Sequence, residues 1–98
     1  MAIGPNMPWF QYNYASIVAN APNLSGVYAL FTPQAWIYIG ESGDIQTRLL
    51  QHLNGDNPCI TRNAPTGSQF ELVPPAQRVA RQNQLIATLD PICNRRLG

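Results

Sequence analysis

"GVYALFTPQAWIYIGESGDIQTRLLQH" runs from Gly26 to His52, and its patterning sets the fold. Two runs rich in β-branched and aromatic residues, Val27–Phe31 and Ala35–Gly40, are joined by "TPQ" and predict a β-hairpin. In the first run Val27, Ala29 and Phe31 share one face and Tyr28 and Leu30 the other. In the second, Trp36 and Tyr38 stand opposite Ile37 and Ile39. Asp44 suits the N-cap of a helix over Ile45–Leu53, because its carboxylate accepts from the open first-turn amides. Ile45, Leu49 and Leu53 recur every four residues and form the buried stripe. Arg48 and His52 occupy a neighbouring stripe at the same spacing, so they project side by side. Tyr28, Tyr38, Arg48 and His52 are therefore either packing residues with a solvated charge, or the lining of a pocket that handles phosphate.

On either side of this stretch the punctuation is plain. Residues 1–25 read as a lead-in: Met1–Pro8 is loose, and Tyr14–Ala19 forms a short helix ended by Pro22. Asn54–Ser68 is mostly loop with a helical turn around Cys59–Asn63, and "QFELV" (Gln69–Val73) alternates as a third strand. Pro74–Pro75 starts a last helix that reaches about Leu89 before Pro91 stops it. On a wheel of about 100° per residue, Gln82 falls inside the apolar arc of Val79, Leu85, Ile86 and Leu89. A buried amide without partners costs about 1–3 kcal/mol. Gln82 is therefore either a hydrogen-bonded core residue or part of a site.

Length and composition bound the possibilities. Ninety-eight residues make one domain, 1–98, with its motif-bearing part at 26–98. No apolar run approaches the roughly 20 residues that span a bilayer, and the N-terminus lacks the pattern of a signal peptide. A cytoplasmic location is the expectation, with no membrane partner. Net charge is only +1, unlike a non-specific nucleic-acid coater. All six basic residues are arginine, which reflects either codon usage or a need for bidentate phosphate contacts. Cys59 and Cys93 do not have the spacing of a metal knuckle, and reduced structural thiols are the expectation. One histidine excludes a zinc site built on several.

"GVY" (Gly26–Tyr28) and "YIG" (Tyr38–Gly40), nine residues apart, resemble the paired motifs of the GIY-YIG nuclease superfamily. "ESGDIQTRLLQHL" continues the resemblance, with Arg48 ten residues after Tyr38, and "QLIATLDPICNRRLG" is similar to the family's last helix and P-x-x-N tail. The resemblance implies an α/β (α+β) domain with a three-stranded antiparallel sheet flanked by helices. It also implies hydrolysis of a nucleic-acid phosphodiester, with Mg²⁺ or Mn²⁺ as cofactor and DNA as the expected form of substrate. By the same resemblance, Tyr28 is the general base or orients the water, and Tyr38 lines the site. Arg48 offsets charge on the phosphate, and His52 bonds phosphate or holds Tyr28. Gly40 permits close approach of the backbone, and Asn94 is a phosphate or supporting contact.

These roles are physically reasonable. A phosphodiester transition state gains negative charge that a guanidinium or a hard cation offsets. Tyrosine, with an ordinary pKa of about 10, needs nearby positive charge to act as a base. The departure is at the metal position. The family holds its cation with a glutamate three residues before the "LI" pair, and here that residue is Gln82, a neutral amide that binds magnesium weakly. Asp90 lies about 12 Å further along the helix; Glu41 and Glu71 are the other acids near the motifs. Three functions follow: a metal-dependent endonuclease weakened at Gln82, an inactive nucleic-acid-binding module, or a protein-interaction domain. Any of them is compatible with a protein partner or a fused module for targeting.

Overall fold

The computed structural model describes residues 2–95; the end of the P-x-x-N tail, residues 96–98, lies outside them. The elements follow in the order β1 (Phe10–Gln11), α1 (Tyr14–Asn20), β2 (Gly26–Thr32), β3 (Ala35–Ser42), α2 (Ile45–Leu53), α3 (Pro58–Asn63), β4 (Gly67–Leu72) and α4 (Arg78–Leu89). Short 3₁₀ turns occupy Pro75–Gln77 and Ile92–Asn94. The sheet is antiparallel with strand order β1-β4-β2-β3, so the hairpin strand β2 is central and β3 is an edge.

The expected three-stranded sheet has a fourth strand. Phe10 and Gln11 pair with Ser68 and Gly67 of β4, inside the segment that looked like lead-in. Two residues are too few to show alternation, and their pairing partner is far away in sequence. The first residues are anchored as well. The Gln69 side chain accepts from the Gly4 amide at 3.0 Å and donates to the carbonyls of Gly4 (3.0 Å) and Met7 (3.1 Å), and Ile3 is buried.

Two apolar clusters cover the two sheet faces. Tyr28 and Leu30 pack with Ile17, Ala21, Ile45, Leu49 and Ile60 under α1, α2 and α3. Val27, Ala29 and Ile39 pack with Leu85, Ile86 and Leu89 under α4. A bulge separates Trp36 from Tyr38: Leu30 pairs with Tyr38 but Phe31 with Trp36, leaving Ile37 as the extra residue. Trp36 therefore joins the α4 side while Tyr38 stays with Tyr28, where plain alternation had put both on one face.

Helix α2 has the expected bounds. The Asp44 carboxylate accepts from the Thr47 amide at 3.1 Å and from Asn23 at 3.0 Å. Helix α4 differs from its wheel, because Val79 is exposed and the buried arc narrows to Leu85 and its neighbours. The cysteines also differ from expectation: Cys59 of α3 is disulfide-bonded to Cys93, with Cα atoms 5.8 Å apart. Their proximity is tertiary, brought about when the chain after α4 returns to α3. Closing a loop of sequence separation 34 should contribute about 3–4 kcal/mol on the chain-entropy account. Reduction is thus expected to lower Tm by more than about 10 °C, measured by thermal melts with and without dithiothreitol.

Candidate active site

Strand β2 places Tyr28 at the centre of the sheet, where it is only 1% exposed. Its cross-strand partner is Gly40. A Cβ at Gly40 would collide with the Tyr28 hydroxyl and ring, so glycine is required there by the phenol, whose oxygen lies where a side chain would begin. Gly40→Ala is expected to cost about 1–3 kcal/mol through overpacking and to displace the Tyr28 hydroxyl. Thermal melts should show the first, and strand-cleavage rates the second.

The Tyr28 hydroxyl is 2.7 Å from Nε2 of His52, in the last turn of α2, and His52 Nδ1 is 2.8 Å from Oδ1 of Asp56. The other oxygen of Asp56 accepts from Arg48 Nη1 at 2.7 Å, and the same nitrogen donates to Gln51 at 2.9 Å. Arg48 and His52 do project side by side, joined through one carboxylate that sequence patterning did not single out. Asp56 lies past the helix stop. Gly55, at φ +91°, turns the chain so that Asp56 folds back over the last turn; its amide reaches the Gln51 carbonyl at 3.3 Å. The available signal was an acid four residues after His52 and eight after Arg48.

Tyr38, on β3, is half-buried with its ring centroid 6.2 Å from that of Tyr28 and 5.2 Å from that of His52. Among the described residues its hydroxyl has no bonding partner. Tyr12, just after β1, packs against the same cluster and shares a cleft of about 200 Å³ with His52, Leu53 and Ile60. Its hydroxyl is buried without a partner. A larger cleft of about 700 Å³, lined by Trp9, Phe31, Trp36 and the residues from Gly4 to Pro8, shares no residue with the Tyr28–His52 site.

Burial governs protonation here. It pushes the Tyr28 phenol well above its ordinary value, with Tyr38 and Asp56 adding to the rise and Arg48 only partly opposing it. The expected lowering by Arg48 is thus present but outweighed. Tyr38 is also raised, by burial first. Burial lowers His52 from its ordinary 6.5, and Arg48 lowers it further, against the upward pull of Asp56. Slight desolvation works against ionisation of Asp56, but the hydrogen bond and charge of His52, together with Arg48, hold it below the usual carboxylate range. At neutral pH the resting set is phenol, neutral imidazole and carboxylate. Because a carboxylate only accepts, the imidazole proton is on Nδ1, and Tyr28 donates to Nε2.

The remaining candidates are placed differently. Asn94 clamps the free edge of β3: its Oδ1 accepts from the Ile39 amide at 2.8 Å and its Nδ2 donates to the Ile39 carbonyl at 2.9 Å. Gln82 is half-buried on α4, one turn before Leu85, and its amide donates weakly to Asn83 at 3.4 Å. The donor set does not fit a hard cation held by the protein. The chain has five acidic residues, and each is engaged. Glu41 pairs with Arg78 at 2.7 Å, Glu71 with Arg81 at 2.7 Å, and Asp90 with Arg95 at 3.1 Å. Asp44 caps α2, and Asp56 serves Arg48 and His52. Among the described residues no three His, Cys, Asp or Glu side chains converge. Gln82 offers a neutral oxygen, where magnesium prefers anionic ones.

Tyr28 on the central strand, the glycine under its hydroxyl, and Tyr38, Arg48 and His52 thus lie together on one face of the sheet. The GIY-YIG catalytic domain model matches residues 24–84, and the chain belongs to that family. Among solved structures it is similar to the GIY-YIG N-terminal endonuclease domain of UvrC from Thermotoga maritima. A tyrosine-to-phenylalanine variant of that domain, bound to its catalytic divalent cation, is 25% identical, with a TM-score of 0.69 over 79% of this chain and 89% of that one. The magnesium-bound form is 24% identical, with a TM-score of 0.69 over 78% and 89%. An asparagine-to-alanine variant gives 24% and 0.70 over 79% and 89%. No curated protein matches the chain. The antiparallel sheet flanked by helices is the fold of this family, and no helix among the described residues is long and apolar enough to cross a membrane.

Proposed function

We propose that this chain hydrolyses phosphodiester bonds of nucleic acid, DNA in the first instance, at a rate lowered by the loss of the family's metal ligand at Gln82. The observation that carries the proposal is the continuous line from Tyr28 through His52 to Asp56, with Arg48 secured to the same carboxylate.

Arg48 is held through Nη1, which leaves its Nε and Nη2 edge for two oxygens of a phosphate. Tyr38 offers its unpartnered hydroxyl beside it. A water seated against Tyr28 attacks phosphorus as its proton passes to the Tyr28 oxygen and the Tyr28 proton passes to His52 Nε2. The P–O ester bond breaks, its electron pair leaves with the strand oxygen, and that oxygen takes a proton from solvent. His52 then returns its proton to solvent. Tyr28 never becomes a free phenolate, so its raised pKa is no obstacle. The imidazolium is balanced by Asp56.

The pH dependence follows from His52. In the free protein its pKa lies below 6.5, so kcat/KM is expected to be flat near neutrality and to fall on an acid limb whose midpoint is below 6.5. Fold stability is expected to fall over the same window, because the unfolded chain takes up a proton near pH 6.5 that the folded chain refuses. Rate profiles and melts from pH 4 to 8 check both. The proposal itself is tested by incubating single-stranded, duplex and branched DNA, and RNA, with micromolar protein. Cleavage of DNA is expected; no cleavage of any of them would overturn it.

One observation favours a second function, an inactive nucleic-acid-binding module. Gln82, where the resemblance puts the cation ligand, is a neutral amide, while Arg48, proposed to take phosphate, is present. That module would bind in a salt-sensitive way without turnover, and binding unchanged in Arg48→Ala would count against it. A protein partner or fused targeting module is compatible with either function.

A further inference from the structure

Asp56 contacts both halves of the site. Its Oδ1 is 2.8 Å from His52 Nδ1 and its Oδ2 is 2.7 Å from Arg48 Nη1. It is held there by the turn at Gly55 rather than by the regular part of α2.

We infer that Asp56 is a positioning residue that couples phosphate capture at Arg48 to proton acceptance at His52. This rests on the hydrolytic function proposed above. By accepting from Nδ1, the carboxylate fixes the neutral tautomer of His52 and so fixes the direction in which Tyr28 donates. Its second oxygen shares charge with the guanidinium. A phosphate that binds Arg48 competes for that charge, and the carboxylate then acts more fully on the imidazole, favouring the protonated form that appears as Tyr28 passes its proton on. Substrate binding thereby strengthens the base only when a substrate phosphate is present. The charged and titratable groups around the imidazole are Tyr28 from β2, Tyr38 from β3, Arg48 from α2, Asp56 from the following turn and Tyr12 beyond β1.

The chain has one histidine, so His52 gives a single imidazole spin system in ¹⁵N-edited NMR. Wild type, Asp56→Asn and Arg48→Gln are titrated from pH 4 to 8, with and without inorganic phosphate. Wild type is expected to show the Nδ1–H tautomer and a His52 pKa raised by phosphate. Asp56→Asn is expected to move His52 toward the Nε2–H tautomer, because the new amide can donate to Nδ1. It should also lower the imidazole pKa, shrink the phosphate effect, and reduce kcat by about 10²–10⁴-fold with the melt little changed. Arg48→Gln should raise the pKa without phosphate and abolish its response to phosphate. An unchanged tautomer and an unchanged phosphate effect in Asp56→Asn would overturn the role of Asp56 even if the protein cuts DNA. The expected NMR pattern without cleavage would overturn the hydrolytic function and leave Asp56 as the coupling group.

Discussion

Tyr28→Phe is expected to leave the fold intact and to cut the strand-cleavage rate by about 10²–10⁴-fold, the range of a lost general base. The substitution removes one oxygen and nothing else from a side chain that is 1% exposed. The ring still fills its place among Leu30, Ile45 and Leu49, so packing is conserved. The lost oxygen is the one that bonds His52 Nε2 at 2.7 Å and, in the proposed reaction, takes the proton of the attacking water. The imidazole nitrogen is left buried without its donor, at a cost of about 1–3 kcal/mol, which a melt will register as a modest fall in Tm. Binding to DNA should be retained, because Arg48 and Tyr38 are untouched. Single-turnover rates together with binding isotherms separate these outcomes. A rate within about threefold of wild type would remove Tyr28 from the chemistry.

Gln82→Glu is the second large effect, and it runs the other way. Divalent-ion affinity of oxygen sites spans decades with the charge of the ligands, and the family resemblance puts the expected ligand at Gln82, an amide. Each Asp and Glu side chain already has a partner, so the new one would be the first available to a cation. Affinity for Mg²⁺ or Mn²⁺ is expected to rise at least about tenfold. Manganese titration followed by paramagnetic broadening reads this without any need for activity. Identical broadening in wild type and Gln82→Glu would show that this position does not determine cation binding.

Much of this site could be read from the sequence because its determinants are local. The hairpin and α2 declare themselves by period, and Arg48 and His52 meet because they are one turn apart. Other features depend on distant partners. Strand β1 is two residues long and exists only through Ser68 and Gly67. The bulge at Ile37, which turns Trp36 away from Tyr38, leaves no mark in the alternation of types. Asp56 lies beyond the Gly55 that correctly signals the end of α2, and only the positive φ at Gly55 brings it back. The Cys59–Cys93 bond joins α3 to the chain after α4. The resemblance in the sequence proposes Tyr28 and Arg48, but whether charge or burial controls the phenol is a question of depth. On the central strand, burial is the larger influence and raises the phenol against Arg48.

We propose a protein that keeps the proton path and phosphate contact and lacks a protein-held cation site. Single-turnover cleavage of labelled DNA by wild type and Gln82→Glu, each with Mg²⁺ and with a chelator, tests it most directly. Wild type is expected to cut slowly, with less than about a tenfold difference between the two conditions, and Gln82→Glu to cut faster only with Mg²⁺. Cleavage by wild type that the chelator abolishes would contradict the account, as would a wild type and a Gln82→Glu variant that both fail to cut.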